Sequence, residues 1–241
     1  MEDLLLSLGN VLMMSYILIG IMAAAFGLVA IRNIASQQKH TRVKNWLVWV
    51  FTLIVAGLAC WVLGELLWIV LDSSGLAAYP SVADYAYITG YLLYLAGLAI
   101  IGYQLVKARG LASVNWRAVT ALVIGSLATY WLIASLIIGH TAAAWTMESA
   151  LDYAYPLLSF FLLVAAAYTY EAFKGGPIDL PFKLILIGFV ANYVADFMFT
   201  YYTWNGIYGF PGILSDLLYF ANYSLNMAAM FLFMKQSGRA K

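Results

Sequence analysis

Residues 83–106 read ADYAYITGYLLYLAGLAIIGYQLV, a run whose one charged side chain, Asp84, stands at its start. A helix needs ~20 consecutive apolar residues to cross a bilayer core, and this run supplies them. Within it Asp84, Tyr87 and Tyr91 are spaced i, i+3 and i+7, which puts all three side chains on one helix face. A carboxylate beside hydrocarbon is costly, so a polar stripe of this kind calls for a reason.

The pattern occurs twice more, as Asp152-Tyr155-Ser159 and Asp216-Tyr219-Tyr223, each at the head of an apolar stretch. Apolar runs at 5–31, 46–71, 83–106, 118–138, 147–172, 182–203 and 212–234 predict seven transmembrane helices. With 241 residues, 65% hydrophobic and 10% charged, the chain is too apolar for a soluble domain. The runs are continuous and long where barrel strands would be short and alternating. The expected fold class is therefore all-α integral membrane, a single seven-helix bundle domain that passes the cell membrane many times and has the lipid bilayer as its surroundings.

Charge sets the expected orientation. All 12 Lys and Arg fall after helix one (Arg32, Lys39, Arg42, Lys44), between three and four (Lys107, Arg109, Arg117), between five and six (Lys174, Lys183), or at the end (Lys235, Arg239, Lys241). The positive-inside rule makes that side cytoplasmic, with the N-terminus outside and the C-terminus inside. Of the acids, only Glu171 and Asp179 belong to the cytoplasmic side. The N-terminal MEDLLLSLGN has no basic n-region, so it reads as the start of helix one rather than as a signal peptide. Cys60 has no partner for a disulfide and says nothing of redox compartment.

The stripes lie on helices three, five and seven, all running from outside to inside. Two repeat schemes fit this spacing. Helix one could precede three helical hairpins, or helices one to three and five to seven could be parallel repeats joined by helix four. The second requires a counterpart of Asp152 in helix one, where only Asn10, Met13 and Ile17 stand. Internal hairpin repeats are therefore the expected arrangement.

Among the acids, Asp84 has a structural role open to it, because Ser81-Val82-Ala83-Asp84 matches a capping box. Glu65 and Asp196 have none. Each precedes the outer end of an inside-to-outside helix, where a carboxylate faces the negative end of the helix dipole. Trp61, Glu65 and Trp68 share a face of helix two, and Asn192 shares one with Asp196 on helix six. Interfacial belts explain Tyr79, Trp145, Tyr202, Trp204 and Tyr208. They do not explain Tyr91 and Tyr223, two turns inward of an acid, which read as bundle-facing hydroxyls.

Together Glu65, Asp84, Asp152, Asp196 and Asp216, with Tyr87, Tyr91, Tyr155, Tyr219, Tyr223, Trp61, Trp68 and Asn192, predict an outward-facing pocket for a cation. Carboxylates this close repel one another and need protons or a counter-ion. Oxygen ligands without His or Cys suit a hard cation such as calcium or sodium, and carboxylates among aromatic rings equally suit a small organic ammonium ligand. The chain is not expected to be an enzyme. His40 and His140 lie on opposite sides of the membrane, and there is no phosphate loop, nucleophile elbow or HExxH. On the enzyme side the one alternative is a paired-aspartate membrane hydrolase using Asp196 and Asp216. A nucleic-acid partner is not expected.

The segment ADYAYITGYLLYLAGL, residues 83–98, resembles the Ala-Asp-x-x-Tyr-[Leu/Ile]-x-x-Tyr pattern of seven- or eight-helix membrane input domains in prokaryotic signalling proteins. That resemblance implies a sensory module. Such domains usually precede a cytoplasmic kinase or cyclase; this chain ends at Lys241, so the output is expected to pass to a separate cytoplasmic or membrane signalling partner. The same helix, with the N-outside topology, is also similar to the third helix of microbial rhodopsins. Those carry a retinal lysine in helix seven, and 212–234 holds none, with Phe220 four residues after Asp216; no covalent retinal is expected.

The expected function is thus a sensor or receptor module with a pocket for a small ligand or ion on its outer side. A transporter or channel subunit is the alternative, and an accessory subunit of a membrane complex the third. Inner helix halves of Leu, Ile, Ala and Phe favour a pocket closed at the bottom. Gly97, Gly102, Gly125 and Gly188 there are expected to be close-packing sites.

Overall fold

The computed structural model describes residues 2–38, 45–110, 116–137 and 146–239. Seven helices occur in them: α1 (Glu2–Gln38), α2 (Asn45–Ser73), α3 (Ala83–Arg109), α4 (Trp116–Leu132), α5 (Met147–Phe173), α6 (Asp179–Asn205) and α7 (Gly209–Arg239). There is no strand among the described residues. His40, His140, Lys39, Arg42, Lys44, Trp145, Lys241 and position 138 of the fourth apolar run lie outside them.

Six of the helices are long and apolar enough to cross a membrane, the build of a multi-pass membrane protein. The fourth is the exception, with a shorter apolar helix at Thr120–Ser135, and it runs on as a π-helical segment, Ile133–Ile137. The outermost helices overrun the apolar stretches that predict them. At 37 residues α1 is about 55 Å long, against a hydrocarbon core of ~30 Å, so its backbone ladder continues through the polar ends that hydropathy leaves out.

Packing closes six helices into a ring. Going round, α1 contacts α2, α2 contacts α3, α3 contacts α5, α5 contacts α6, α6 contacts α7, and α7 returns to α1. The fourth helix stands outside this ring, against α5, and its π-helical end reaches α6. One apolar cluster fills the interior, and toward the end where α2, α4 and α6 begin it is made of Val50, Ile101, Ile185, Met230 and Phe233.

Local chemistry shapes the helices at the other end. The Ser81 N–H donates to Asp84 Oδ2 at 2.6 Å, so the predicted capping contact forms at the start of α3. A capping box of Thr146 and Ser149 opens α5. Pro211 occupies the first turn of α7, as Pro181 does that of α6 at the opposite end, where a missing N–H leaves no helical bond unmade.

Pro156 lies inside α5 and cannot donate to the carbonyl of residue 152. Thr200 Oγ1, from α6, donates to that Asp152 carbonyl at 3.3 Å instead. A neighbouring hydroxyl thus satisfies the group that the proline frees. Of the four glycines expected at close contacts, Gly125 leaves no room for a Cβ unless Phe160 moves, Gly97 and Gly188 would hold one only in tight contact at 3.1 and 3.0 Å, and Gly102 faces Tyr168 at an ordinary 3.6 Å.

Candidate functional site: a carboxylate and phenol cavity

Buried carboxylates are tolerated only when their oxygens receive hydrogen bonds. Here most of the donors are phenols from other helices. Glu65, on α2, accepts from Tyr87 of α3 at 2.9 Å and from Tyr223 of α7 at 3.2 Å. Asp196, on α6, accepts from Tyr219 of α7 at 2.6 Å and from Tyr91 of α3 at 2.7 Å. Ser159 of α5 also donates to Asp196, and Tyr155 of α5 donates to Asp84. So no stripe serves its own aspartate. Helical spacing aligns the three groups on one face, and that face is read by carboxylates across the bundle.

The two bond sets are reciprocal. On α3, Tyr87 reaches the acid of neighbouring α2 and Tyr91 reaches across to α6; on α7, Tyr219 reaches neighbouring α6 and Tyr223 reaches across to α2. Tyr16 of α1 stacks on Tyr223, with ring centroids 5.3 Å apart and planes within 3°.

These groups surround a cavity of about 240 Å³ at the end where α3, α5 and α7 begin. Of the residues expected in the pocket, Trp61, Glu65, Trp68, Asp84, Tyr87, Tyr91, Tyr155, Asn192, Asp196, Asp216, Tyr219 and Tyr223 line it. Gly9, Asn10, Met13 and Tyr16 of α1 complete the wall, with Asp72, Phe199, Tyr202 and Tyr208. Among the described residues the lining thus holds five carboxylates and no Lys, Arg or His. Among the described residues no three His, Cys, Asp or Glu side chains gather closely enough to hold a metal ion.

Asp152 is the one expected acid that does not line the cavity. It is fully buried and accepts from the Tyr79 hydroxyl at 2.6 Å. Burial, then the adjoining Asp152 carboxylate, push the Tyr79 hydroxyl well above the usual phenol range. Burial, then its bond to Asp216, do the same to Tyr208. Composition assigns Tyr79, Tyr202 and Tyr208 to an interfacial belt, but Tyr79 and Tyr208 are bonded to carboxylates and Tyr202 faces the cavity.

Beneath the cavity runs a polar chain that the stripe spacing does not announce. Asn192 donates to Tyr91 at 2.8 Å and accepts from Asn222 at 2.9 Å; Asn226 donates to Asn222 at 2.8 Å and accepts from Tyr94 at 2.6 Å. Asn222 and Asn226 are fully buried, and their i, i+4 spacing in an apolar helix was the available signal. Gly188 makes room for them, since a Cβ there would stand 3.0 Å from Asn222 Oδ1.

The fold and site define a helical, multi-pass membrane protein whose bundle encloses an acidic, phenol-lined cavity at one end. No protein-family model matches the chain, and neither a curated protein nor a solved structure matches it.

Proposed function

We propose that the chain is an integral membrane protein that binds a small organic cation, or a hard ion such as sodium or calcium, in this cavity from the outer face. Five carboxylates lining one cavity, with no basic side chain among its described lining residues, carry that reading. The orientation, N-terminus outside and C-terminus cytoplasmic, is supported by the sequence positions of all 12 Lys and Arg, which fall near helix ends or between helices, on the side away from the cavity acids. The tyrosine hydroxyls bonded to Glu65, Asp84, Asp196 and Asp216, and the lack of a three-ligand metal cluster among the described residues, favour an organic ammonium ligand over a bare ion. No catalytic role is assigned to Asp196 and Asp216, each of which is occupied by tyrosine hydroxyls.

We read the protein as a sensor or receptor module acting through a separate partner. What supports binding over passage is the floor: past Asn226 and Tyr94 the interior is filled by buried Ile101, Ile185, Met230 and Phe233.

A transporter is the second reading, and the reciprocal tyrosine bonds favour it. They match helices α1–α3 to α5–α7, with α4 outside the ring, as in transporters built from parallel repeats. This supports the parallel scheme over hairpin repeats, with α1 contributing Tyr16 where a carboxylate was sought.

Thermal unfolding of the purified protein with sodium, calcium and alkylammonium salts tests the binding reading. Wild type is expected to gain stability with cation concentration, and Glu65→Gln and Asp196→Asn to lose that response. A wild-type melting temperature indifferent to every cation defeats the proposal. Flux in proteoliposomes, expected to be absent, then separates sensing from transport.

A further inference from the structure

The tyrosines that line the cavity and donate to carboxylates sit on α3, α5 and α7, with one exception. Tyr208 stands in the connection 206–208 between α6 and α7, and its hydroxyl donates to Asp216 of α7. Its ring lies in a slot made by two glycines from different helices. A Cβ on Gly9 of α1 would overlap the Tyr208 hydroxyl and stand 2.9 Å from Asp216 Oδ2, and a Cβ on Gly212 of α7 would overlap the ring. Only glycine lets a side chain approach a helix backbone this closely. Tyr202, also in the wall, makes an edge contact with the ring at a centroid distance of 5.5 Å.

The slot lies at the rim. Asn10, which follows Gly9, lines the cavity and is exposed, so the cavity meets the surface next to the Tyr208 hydroxyl. The connection itself is on the surface, with Gly206 and Ile207 exposed and Tyr208 turned in and half-buried. Gly206 and Gly209 flank it with φ of 65° and 36°, so no β-carbon restricts the backbone on either side of Ile207 and Tyr208. Tyr79 offers a contrast. It too stands in a connection and donates to a carboxylate, Asp152, but neither residue lines the cavity, and the Tyr79 ring lies against Trp68 and Phe199. The α2–α3 connection therefore braces the wall, and the α6–α7 connection covers the mouth.

We propose that Tyr208 is the gate of the cavity: latched to Asp216 in the glycine slot it closes the outer mouth, and turned outward it frees Asp216 and admits a ligand. A ligand that takes Asp216 must displace the phenol, so the latch is also an autoinhibitory contact. This rests on the reading of the cavity as a binding site, and not on the charge of what it binds.

The test is thiol labelling of the purified full chain in detergent, with a cysteine placed in the cavity wall by Met13→Cys, about one helical turn inward of Gly9. The probes are methanethiosulfonates carrying an ethylammonium or an ethylsulfonate group, and labelling is read peptide by peptide in a mass spectrometer. Tyr208→Phe removes the latch and keeps the ring, Tyr208→Ala removes both, and Gly9→Ala pushes the hydroxyl away from Asp216 without altering the tyrosine. Each is expected to speed labelling of the thiol introduced by Met13→Cys roughly tenfold or more, the shift in population that losing one hydrogen bond gives. Cys60, on α2 and outside the cavity wall, reports on the rest of the bundle and is expected to label no faster. Unchanged labelling at the cavity thiol overturns the gate, and so does faster labelling of both thiols, which would mean that the bundle has loosened as a whole. If Tyr208→Ala fails to fold, Tyr208→Phe and Gly9→Ala decide. An ethylsulfonate probe that labels the cavity as fast as the ethylammonium one overturns the cation reading and leaves the gate standing.

Discussion

Tyr91, on α3, donates a 2.7 Å hydrogen bond across the bundle to Asp196 on α6. Tyr223 of α7 mirrors it by donating to Glu65 on α2 at 3.2 Å. Between them the two tyrosines tie four helices together at the level where the bundle would otherwise open around its cavity. Interhelical hydrogen bonds in membranes average ~0.6 kcal/mol and reach ~1.7 kcal/mol. The bundle therefore gains its geometry here from many modest bonds rather than from one strong lock.

The pairing makes a prediction about coupling. Tyr87 and Tyr223 share Glu65, whereas Tyr87 and Tyr219 serve different carboxylates. In a double-mutant cycle on unfolding stability, Tyr87→Phe with Tyr223→Phe should depart from additivity by at least ~0.5 kcal/mol, and Tyr87→Phe with Tyr219→Phe should add within about that amount. Coupling of the second pair without the first would mean that the carboxylates are not the shared partners.

Close approach at Gly188 gives a second prediction. A Cβ there meets Asn222 Oδ1 at 3.0 Å and Asn226 Nδ2 at 3.2 Å, whereas at Gly102 the nearest atom is 3.6 Å away. Overpacking of this kind costs ~1–3 kcal/mol. Gly188→Ala should lower the melting temperature in detergent, and Gly102→Ala should leave it within error. Equal effects of the two would show that the asparagine chain yields without cost.

These residues mark what the sequence could disclose. Hydropathy reveals the helices because the bilayer imposes a length and a composition on each one. Intramembrane cost picks out Glu65 and Asp196, since nothing local excuses a carboxylate in those places. Periodicity finds Tyr87, Tyr91, Tyr219 and Tyr223 and puts them on the right faces. It cannot say whom they bond, because the partners lie 22 to 158 positions away. Tyr16, Tyr202 and Tyr208 escaped because tyrosine is common at interfaces, and only packing separates a belt residue from a wall residue. Asp152 shares the stripe of its neighbours yet lies outside the cavity wall, bonded to Tyr79. Periodicity fixes a helix face and leaves the neighbours of that face open.

Tyr79 supplies a pH dependence. It stands in the segment between two membrane spans, and its hydroxyl donates to Asp152 and is held by burial and that carboxylate above the usual phenol range. The unfolded chain therefore loses the Tyr79 proton first as pH rises. Stability that this tyrosine contributes is fully present below pH ~10 and declines above it, because there the folded state binds more protons than the unfolded one. Melting curves across the alkaline range should fall less steeply for Tyr79→Phe than for wild type. Identical slopes would mean that Tyr79 titrates in the folded protein as it does when unfolded.

The strongest internal check on how α5 is shaped comes from Pro156 and Thr200. Proline at 156 cannot bond the carbonyl of Asp152, and Thr200 Oγ1 does so from α6 at 3.3 Å. That turn of α5 carries Tyr155 and Ser159, which donate to Asp84 and Asp196 and so hold part of the cavity wall. In wild type, Thr200→Val leaves a buried carbonyl unpaired and should cost about 1 kcal/mol of stability. In a Pro156→Ala background the new N–H can take the same carbonyl through the ordinary helical bond, so Thr200→Val should then cost close to nothing. The two changes are thus expected to couple, by an amount near the single-mutant cost of Thr200→Val. Restoring the helical bond should also shift Tyr155 and Ser159 relative to their carboxylates, so Pro156→Ala alone should weaken cation binding while leaving the protein at least as stable. An unchanged Thr200→Val cost in both backgrounds would show that the threonine acts through packing, and that the proline shapes α5 without help from α6.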